Sequence, residues 1–297
     1  MMKCVNILVA LFLTYGLAEA GKLEYYVDRY GSVLTIEPRD RFEATVSTDI
    51  RRGQTIVKYE YYVKNLETSE QEIDGLKLWT PMEDYLIVRG GADSKISDFL
   101  IAKKIERAYY KPQGISAVKW ILKCVMGACE NVRPGEEVYL WVEAQALPGV
   151  VDFYMYGEGD APTCVTPAIV TPEFAACESD DYIRGYDDQT PYGPGKVYKV
   201  PGPKYEFSAN PVSALETLIT LKEEALGLGW IKNEGIAKSF GQKLREAKKK
   251  YERKNKKAGQ NILSAFLNEV KASRLKQIDD NAYEMLRVWA EFIIERF

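Results

Sequence analysis

The chain has 297 residues, no His, five Cys and a formal net charge of −3 at pH 7. The missing His removes the commonest general base and the commonest transition-metal ligand, which excludes Ser-His-Asp hydrolases, Cys-His proteases and His-ligated zinc enzymes. Hydrophobic content of 46% and aromatic content of 12% suit a chain that builds a core, which argues against disorder.

Residues 1–20 read as a cleaved export signal. Lys3 precedes an apolar run from Val5 to Leu17, and Ala18-Glu19-Ala20 forms a small-x-small site before Gly21. The run falls short of the about 20 apolar residues that a membrane span needs. No later run approaches that length, so no transmembrane segment is expected in the mature chain. The expected location is secreted or periplasmic. Cys4 leaves with the signal, and Cys124, Cys129, Cys164 and Cys177 remain. An even number of cysteines in an exported chain points to disulfides. Three pairings are open; Cys124–Cys129 with Cys164–Cys177 closes the shortest loops. Their spacings suit a four-thiolate metal site poorly.

From Tyr25 to about Phe207 the pattern is β. In Ile56–Val63, Val57, Tyr59, Tyr61 and Val63 share one face while Lys58, Glu60 and Tyr62 share the other. Arg41–Ser47 alternates likewise. In Glu137–Gln145, Val138, Leu140, Val142 and Ala144 oppose Tyr139, Trp141 and Glu143. Val33–Ile36, Leu76–Trp79, Tyr85–Val88, Ala117–Leu122 and Val151–Tyr156 are further candidates. Turn signals at Arg52-Gly53, Gly90-Gly91, Pro134-Gly135 and Pro148-Gly149 separate them. The expected fold is an antiparallel, Ig-like β-sandwich over residues 21–206. Residues 157–206, rich in Pro, Gly and Tyr, read as a long loop. Trp120, Trp141 and Trp289 lie in periodic apolar segments and are assigned to the core.

After Asn210-Pro211, an N-cap followed by Pro at the first helical position, the period becomes 3.6. Leu215, Leu218, Leu221 and Ala225 mark one helix, ended by Gly227 and Gly229. Asn233 caps a second, with Ile236, Phe240, Leu244, Ala247 and Tyr251 on its apolar face. Ile262, Phe266 and Val270 mark a third, and Asp279 or Asp280 caps a fourth. Residues 211–297 are therefore expected to form a small all-α helical bundle. They carry 17 Lys+Arg against 12 Asp+Glu, whereas residues 21–210 carry 22 against 30. Opposite balances suggest surfaces of different character.

Two resemblances follow. Gly229-x-Ile231-x-Asn233-x-Gly235-Ile236, Lys243-Leu244, Ala247, Asn261-Ile262-Leu263-x-Ala265-Phe266, Val270-x-Ala272, Ile278 and Ala282 through Leu286 to Ala290 resemble a helical module common at the C-termini of exported bacterial and archaeal proteins. That resemblance implies a helical appendage and no catalytic residues. Tyr59-x-Tyr61-x-Val63-x-Asn65, Val132-x-Pro134-Gly135, Leu147-Pro148-Gly149-Val150 and Phe153-Tyr154 are similar to uncharacterised secreted β-sandwich domains. That likeness implies a fold type and export.

Candidate sites cluster in the expected loop. Asp180, Asp181, Asp187 and Asp188 supply carboxylate oxygens of the kind Ca²⁺ takes, though their spacing is not an EF-hand and a solvated acidic loop is the plainer reading. Tyr182, Tyr186 and Tyr192, with Tyr198 and Tyr205, offer flat rings with polar edges for a sugar or a partner protein. The basic run Lys248, Lys249, Lys250, Arg253, Lys254, Lys256 and Lys257 reads as a solvated helix end. Its functional alternative is attachment to an acidic cell-wall polymer or anionic lipid. The expected function is a secreted, non-catalytic binding or structural protein with a protein or cell-surface polysaccharide as partner, and no nucleic acid. No cofactor is expected. The alternative is a carbohydrate-binding module or a carboxylate-dependent glycan enzyme, which needs two acids about 5–10 Å apart.

Overall fold

Alternating apolar residues decide which face of each strand is buried. The computed structural model describes residues 23–26, 33–36, 41–81, 87–92, 96–102, 116–122, 124–125, 128–129, 131–157, 163–165 and 195–297. The expected export signal lies outside the described residues. In chain order the strands are β1 (Leu23–Tyr26), β2 (Val33–Ile36), β3 (Ala44–Arg52), β4 (Val57–Asn65), β5 (Ile73–Thr80), β6 (Ile87–Ala92) and β7 (Ile96–Ala102). They continue with β8 (Ser116–Leu122), β9 (Cys124–Val125), β10 (Ala128–Cys129), β11 (Glu137–Ala144), β12 (Leu147–Gly157), β13 (Thr163–Val165) and β14 (Lys196–Tyr205). Helices α1 (Pro211–Gly227), α2 (Glu234–Glu252), α3 (Lys256–Ser273) and α4 (Asp280–Arg296) follow.

The chain divides into two compact units. The first, Met1–Pro38 with Gly159–Ile183, holds an antiparallel sheet of order β1-β2-β13, in which Cys164 pairs with Leu34. The second, Arg39–Glu158 with Arg184–Phe297, holds the sheets β3-β4-β11-β6 and β14-β12-β5-β8-β7 and the small β9–β10 ladder, together with helices α1 to α4. All of these ladders are antiparallel.

In the second unit Val57, Tyr59, Tyr61 and Val63 of β4 are fully buried, as are Val138, Leu140, Val142 and Ala144 of β11. Tyr61 packs on Trp120 of β8 at 6.2 Å and on Phe153 of β12 at 5.5 Å between ring centroids. Its hydroxyl donates to the Pro201 carbonyl of β14 at 3.1 Å. The Thr80 hydroxyl likewise donates to the Pro203 carbonyl, and the Tyr59 hydroxyl to the Ala146 carbonyl at 2.8 Å. Pro201 and Pro203 are two residues apart, so their missing N–H groups fall on one side of β14. That strand ends its sheet, where one side needs no ladder donor. Opposite it, Pro148 pairs with Pro203 and Gly149 with Gly202. A Cβ on Gly202 would lie 2.4 Å from Val151 and 3.1 Å from the Tyr61 hydroxyl, so the buried hydroxyl reaches the ladder because glycine leaves the space.

Each helix starts on the cap its sequence offers. The side chains of Asn210, Asn233, Asn255 and Asp279 accept from the amides of Val212, Ile236, Ala258 and Ala282. Each helix packs on the next, and α4 returns to α1. Phe240 and Phe266 meet edge to face at 5.2 Å in the core of this ring. α4 also packs on β3, β12 and β14. The Trp289 indole donates to the Pro148 carbonyl at 2.7 Å. Glu284 accepts from the Ile50 amide at 3.3 Å and Arg287 donates to the Ile50 carbonyl at 2.6 Å, which occupies the outer edge of β3. Burial lifts the Glu284 carboxyl above its ordinary value, against the opposing bond and charge of Arg287.

The expected Ig-like β-sandwich over residues 21–206 is therefore corrected. The strands fall into separate antiparallel sheets distributed over two units, and α4 covers the β3 edge and the β12–β14 ladder, so the second unit is a mixed assembly of sheets and helices. Periodicity reports a strand and its buried face, and it does not report which strands pair. The helical part, by contrast, forms as its caps and stripes require. The long-loop reading is corrected at residues 196–205, where the Pro-Gly-Pro sequence is an edge strand.

Replacing Trp289 with Phe keeps the ring contacts to Tyr205 and Phe292 and leaves the buried Pro148 carbonyl without its donor. The expected loss is about 1–3 kcal/mol. Urea unfolding checks it: the midpoint falls and the slope is unchanged.

Candidate functional site

The outward face of β3-β4-β11-β6 gathers the polar half of each alternating strand. Register sets three rows across the sheet: Ser47, Tyr62 and Tyr139; Asp49, Glu60, Trp141 and Gly91; Arg51, Lys58, Glu143 and Arg89. The two rings of β11 stand two residues apart, about 7 Å along the strand. Tyr62 and Tyr139 lie 5.3 Å apart and tilted.

Glu60 is the centre of the face and is 3% exposed. One carboxylate oxygen accepts from Lys58 at 2.7 Å and from the Tyr139 hydroxyl at 2.5 Å. The other meets the Arg51 guanidinium at 2.9 Å. Burial by itself raises this carboxyl, but the bonds from Lys58 and Tyr139 and the charges of Lys58 and Arg51 outweigh it, and the group titrates below its ordinary value. Burial and the bond to Glu60 push the Tyr139 phenol up, and the bond to Glu60 raises Lys58.

Trp141 lies against Gly91: a Cβ there would sit 2.9 Å from the indole. Lys58 stands 5.1 Å and Arg89 5.8 Å from the Trp141 ring centroid. Arg89 also grips Glu143 with two bonds of 2.7 and 3.1 Å. Asp49, Glu60 and Glu143 thus face Arg51, Lys58 and Arg89, and the face carries balanced charge. Two partly exposed rings of β11 and one of β4 project from a frame of mutually paired ions.

This face is built from residues that the alternation of β4 and β11 already places together. The assignment of Trp141 to the core is corrected: it points outward and is partly exposed, whereas Trp120 and Trp289 are 1% exposed. The signal for the difference is parity, since Trp141 shares its face with Glu143 and Tyr139. Tyr198 and Tyr205 are corrected from exposed loop rings to partly buried residues of β14, with Tyr205 edge-on to Trp289 at 5.7 Å. Asp180, Asp181, Asp187, Asp188, Tyr182, Tyr186, Tyr192 and Cys177 lie outside the described residues. The backbones of Cys124 and Cys129 are direct cross-strand partners in the β9–β10 ladder. Among the described residues, no cluster of His, Cys, Asp or Glu could hold a metal ion, and no helix is long and apolar enough to cross a membrane.

No family model, curated protein or solved structure matches the chain.

Replacing Glu60 with Gln tests the electrostatic frame. A carboxyl lowered in the folded state adds stability at pH values above its ordinary value of 4.5, and loses it as pH falls through the lowered native value. The variant is expected to be about 1–3 kcal/mol less stable at pH 7. Its deficit shrinks as the pH drops below 4.5. Thermal unfolding of both proteins across the acid range measures this.

Proposed function

We propose that the protein is a secreted or periplasmic, non-catalytic binding protein that docks a cell-surface polysaccharide or a protein on the Tyr62–Tyr139–Trp141 face. The observation that carries this reading is a row of partly exposed rings on a sheet whose ions are already paired with one another. Such a surface offers stacking area and polar edges at low ordering cost, and its balanced charge suits a neutral sugar or a protein rather than a polyanion. A sugar ring would stack on Trp141 or Tyr139 and bond to the flanking Glu143, Lys58 and Arg89.

Glycan hydrolysis is the weaker reading of the same face. A general acid must carry a proton near neutral pH, which needs a raised carboxyl. Glu60 is shifted the other way, with both oxygens engaged. Export rests on residues 1–20 and on the even cysteine set. The cross-strand register of Cys124 and Cys129 supports their pairing, since directly opposed strand residues stand close enough for a bridge.

Two experiments test this reading. A panel of polysaccharides immobilised for retention should bind the mature chain, and Trp141→Ala, which leaves the Tyr139–Glu60 bond in place, should lose that binding tenfold or more in a protein that still unfolds cooperatively. Turnover of any polysaccharide in place of retention would defeat the proposal. The mass of the exported chain should lack residues 1–20 and the hydrogens of two disulfides; free thiols on the exported protein would count against the compartment.

A further inference from the structure

Helix α2 carries two kinds of cation. Lys243 bonds to Glu269 at 2.9 Å and Lys248 to Glu216 at 2.7 Å, so these are tied to neighbouring helices. Lys238, Arg245 and Lys249, with Arg253 at the C-cap, recur at intervals of seven, four and four residues, which aligns them along one side of the helix and its end. Lys250 adjoins them. Among the described residues, none of these five is held in an ion pair.

Two clefts open on this row. One, of about 480 Å³, lies between α1 and α2 beside Lys222, Lys238 and Arg245, with Gly235 and Gly241 in its wall. A methyl group on Gly241 would stand 3.1 Å from an Arg245 guanidinium nitrogen and 3.4 Å from the Lys222 ammonium, so both cations converge on the space the glycine leaves. Lys222 is 3% exposed, and its ammonium is paired with Glu223. The second cleft, of about 310 Å³, is lined by Glu246, Lys249, Lys250 and Arg253. At 1.5 Å rise per residue, Gly241 of the first and Lys249 of the second are roughly 12 Å apart along the helix. Together they bring six cations against the three carboxylates Glu223, Glu234 and Glu246.

We infer that α2 binds a linear polyanion whose phosphate or carboxylate groups repeat along these two clefts. One unpaired cation attracts any anion, but an aligned row with two concave sites engages a repeating one, because the second contact forms at the high effective concentration set by the first. A lipid surface fits less well. Interfacial helices insert large apolar side chains, and the exposed large hydrophobics among the described residues are Val88, Leu228 and Leu275, none of them in α2. This surface shares no residue with the aromatic sheet face, so failure at either leaves the other standing.

Equilibrium binding of the full chain to sodium polyphosphate and polygalacturonate, beside orthophosphate and phosphatidylglycerol vesicles, tests the inference. At least one polymer should bind at low salt, at least tenfold tighter than orthophosphate per anionic group, and weaken as salt rises. R245Q/K249Q/R253Q should lower that affinity tenfold or more at unchanged unfolding temperature. The charge-matched control K64Q/K232Q/K276Q should leave it within about twofold. G241A keeps every charge, narrows the first cleft and should weaken binding several-fold. Failure of both polymers to bind, equal loss in the control, or binding to vesicles alone would overturn the inference.

Discussion

The β12–β14 ladder depends on donors that its own backbone cannot supply. On β14, which ends its sheet, the carbonyls of Pro201 and Pro203 are taken up by the hydroxyls of Tyr61 and Thr80. On the partner strand the Pro148 carbonyl is taken up by the Trp289 indole, and the neighbouring Ala146 carbonyl by Tyr59. One bond therefore comes from β5, two come from β4 and one from α4. A buried carbonyl without a partner costs about as much as a lost hydrogen bond, so β4, β5, α4 and β14 hold their positions jointly. Gly202 provides the room in which the Tyr61 hydroxyl reaches the backbone, and Gly149, paired with it across the ladder, leaves room for the Lys204 and Tyr205 side chains.

That inner arrangement fixes what the opposite face of β4 presents. With Tyr59 and Tyr61 pointing inward, strand parity sends Lys58, Glu60 and Tyr62 outward, and the register with β11 sets them beside Tyr139, Trp141 and Glu143. Two buried glutamates show how environment sorts one residue type. Glu60 is surrounded by two cations and a phenol and is held ionised; Glu284 is lifted by burial that its single arginine and one amide do not offset. The first organises a surface, and the second joins a helix to a strand.

Much of this was legible from the residues. The 3.6-residue stripes and the caps at Asn210, Asn233 and Asp279 mark the helices closely, because capping is a local interaction between neighbours in sequence. The parity of β4 and β11 was equally plain, since alternation is a property of one strand. Sheet order was not, because pairing depends on contacts between distant segments, and the Ig-like arrangement failed there. Lys196–Tyr205 was hidden for a different reason: its prolines are forbidden in a central strand and allowed at an edge, and edge position is a tertiary fact. Trp141 departs from a core role because its parity, shared with Tyr139 and Glu143, outweighs its apolar character. The cluster around Glu60 needed the register between β4 and β11, which no single stretch of sequence contains.

The grip of Glu284 and Arg287 on Ile50 bears on how copies of the chain behave beside one another. A strand at the rim of a sheet presents amide and carbonyl groups that any extended segment can extend further. Here those groups at Ile50 are answered by side chains from a helix nearly 240 positions later in the chain. Until α4 has docked, the Ile50 amide and carbonyl stand open to any extended segment, so a polypeptide without α4 is stickier than one that carries it.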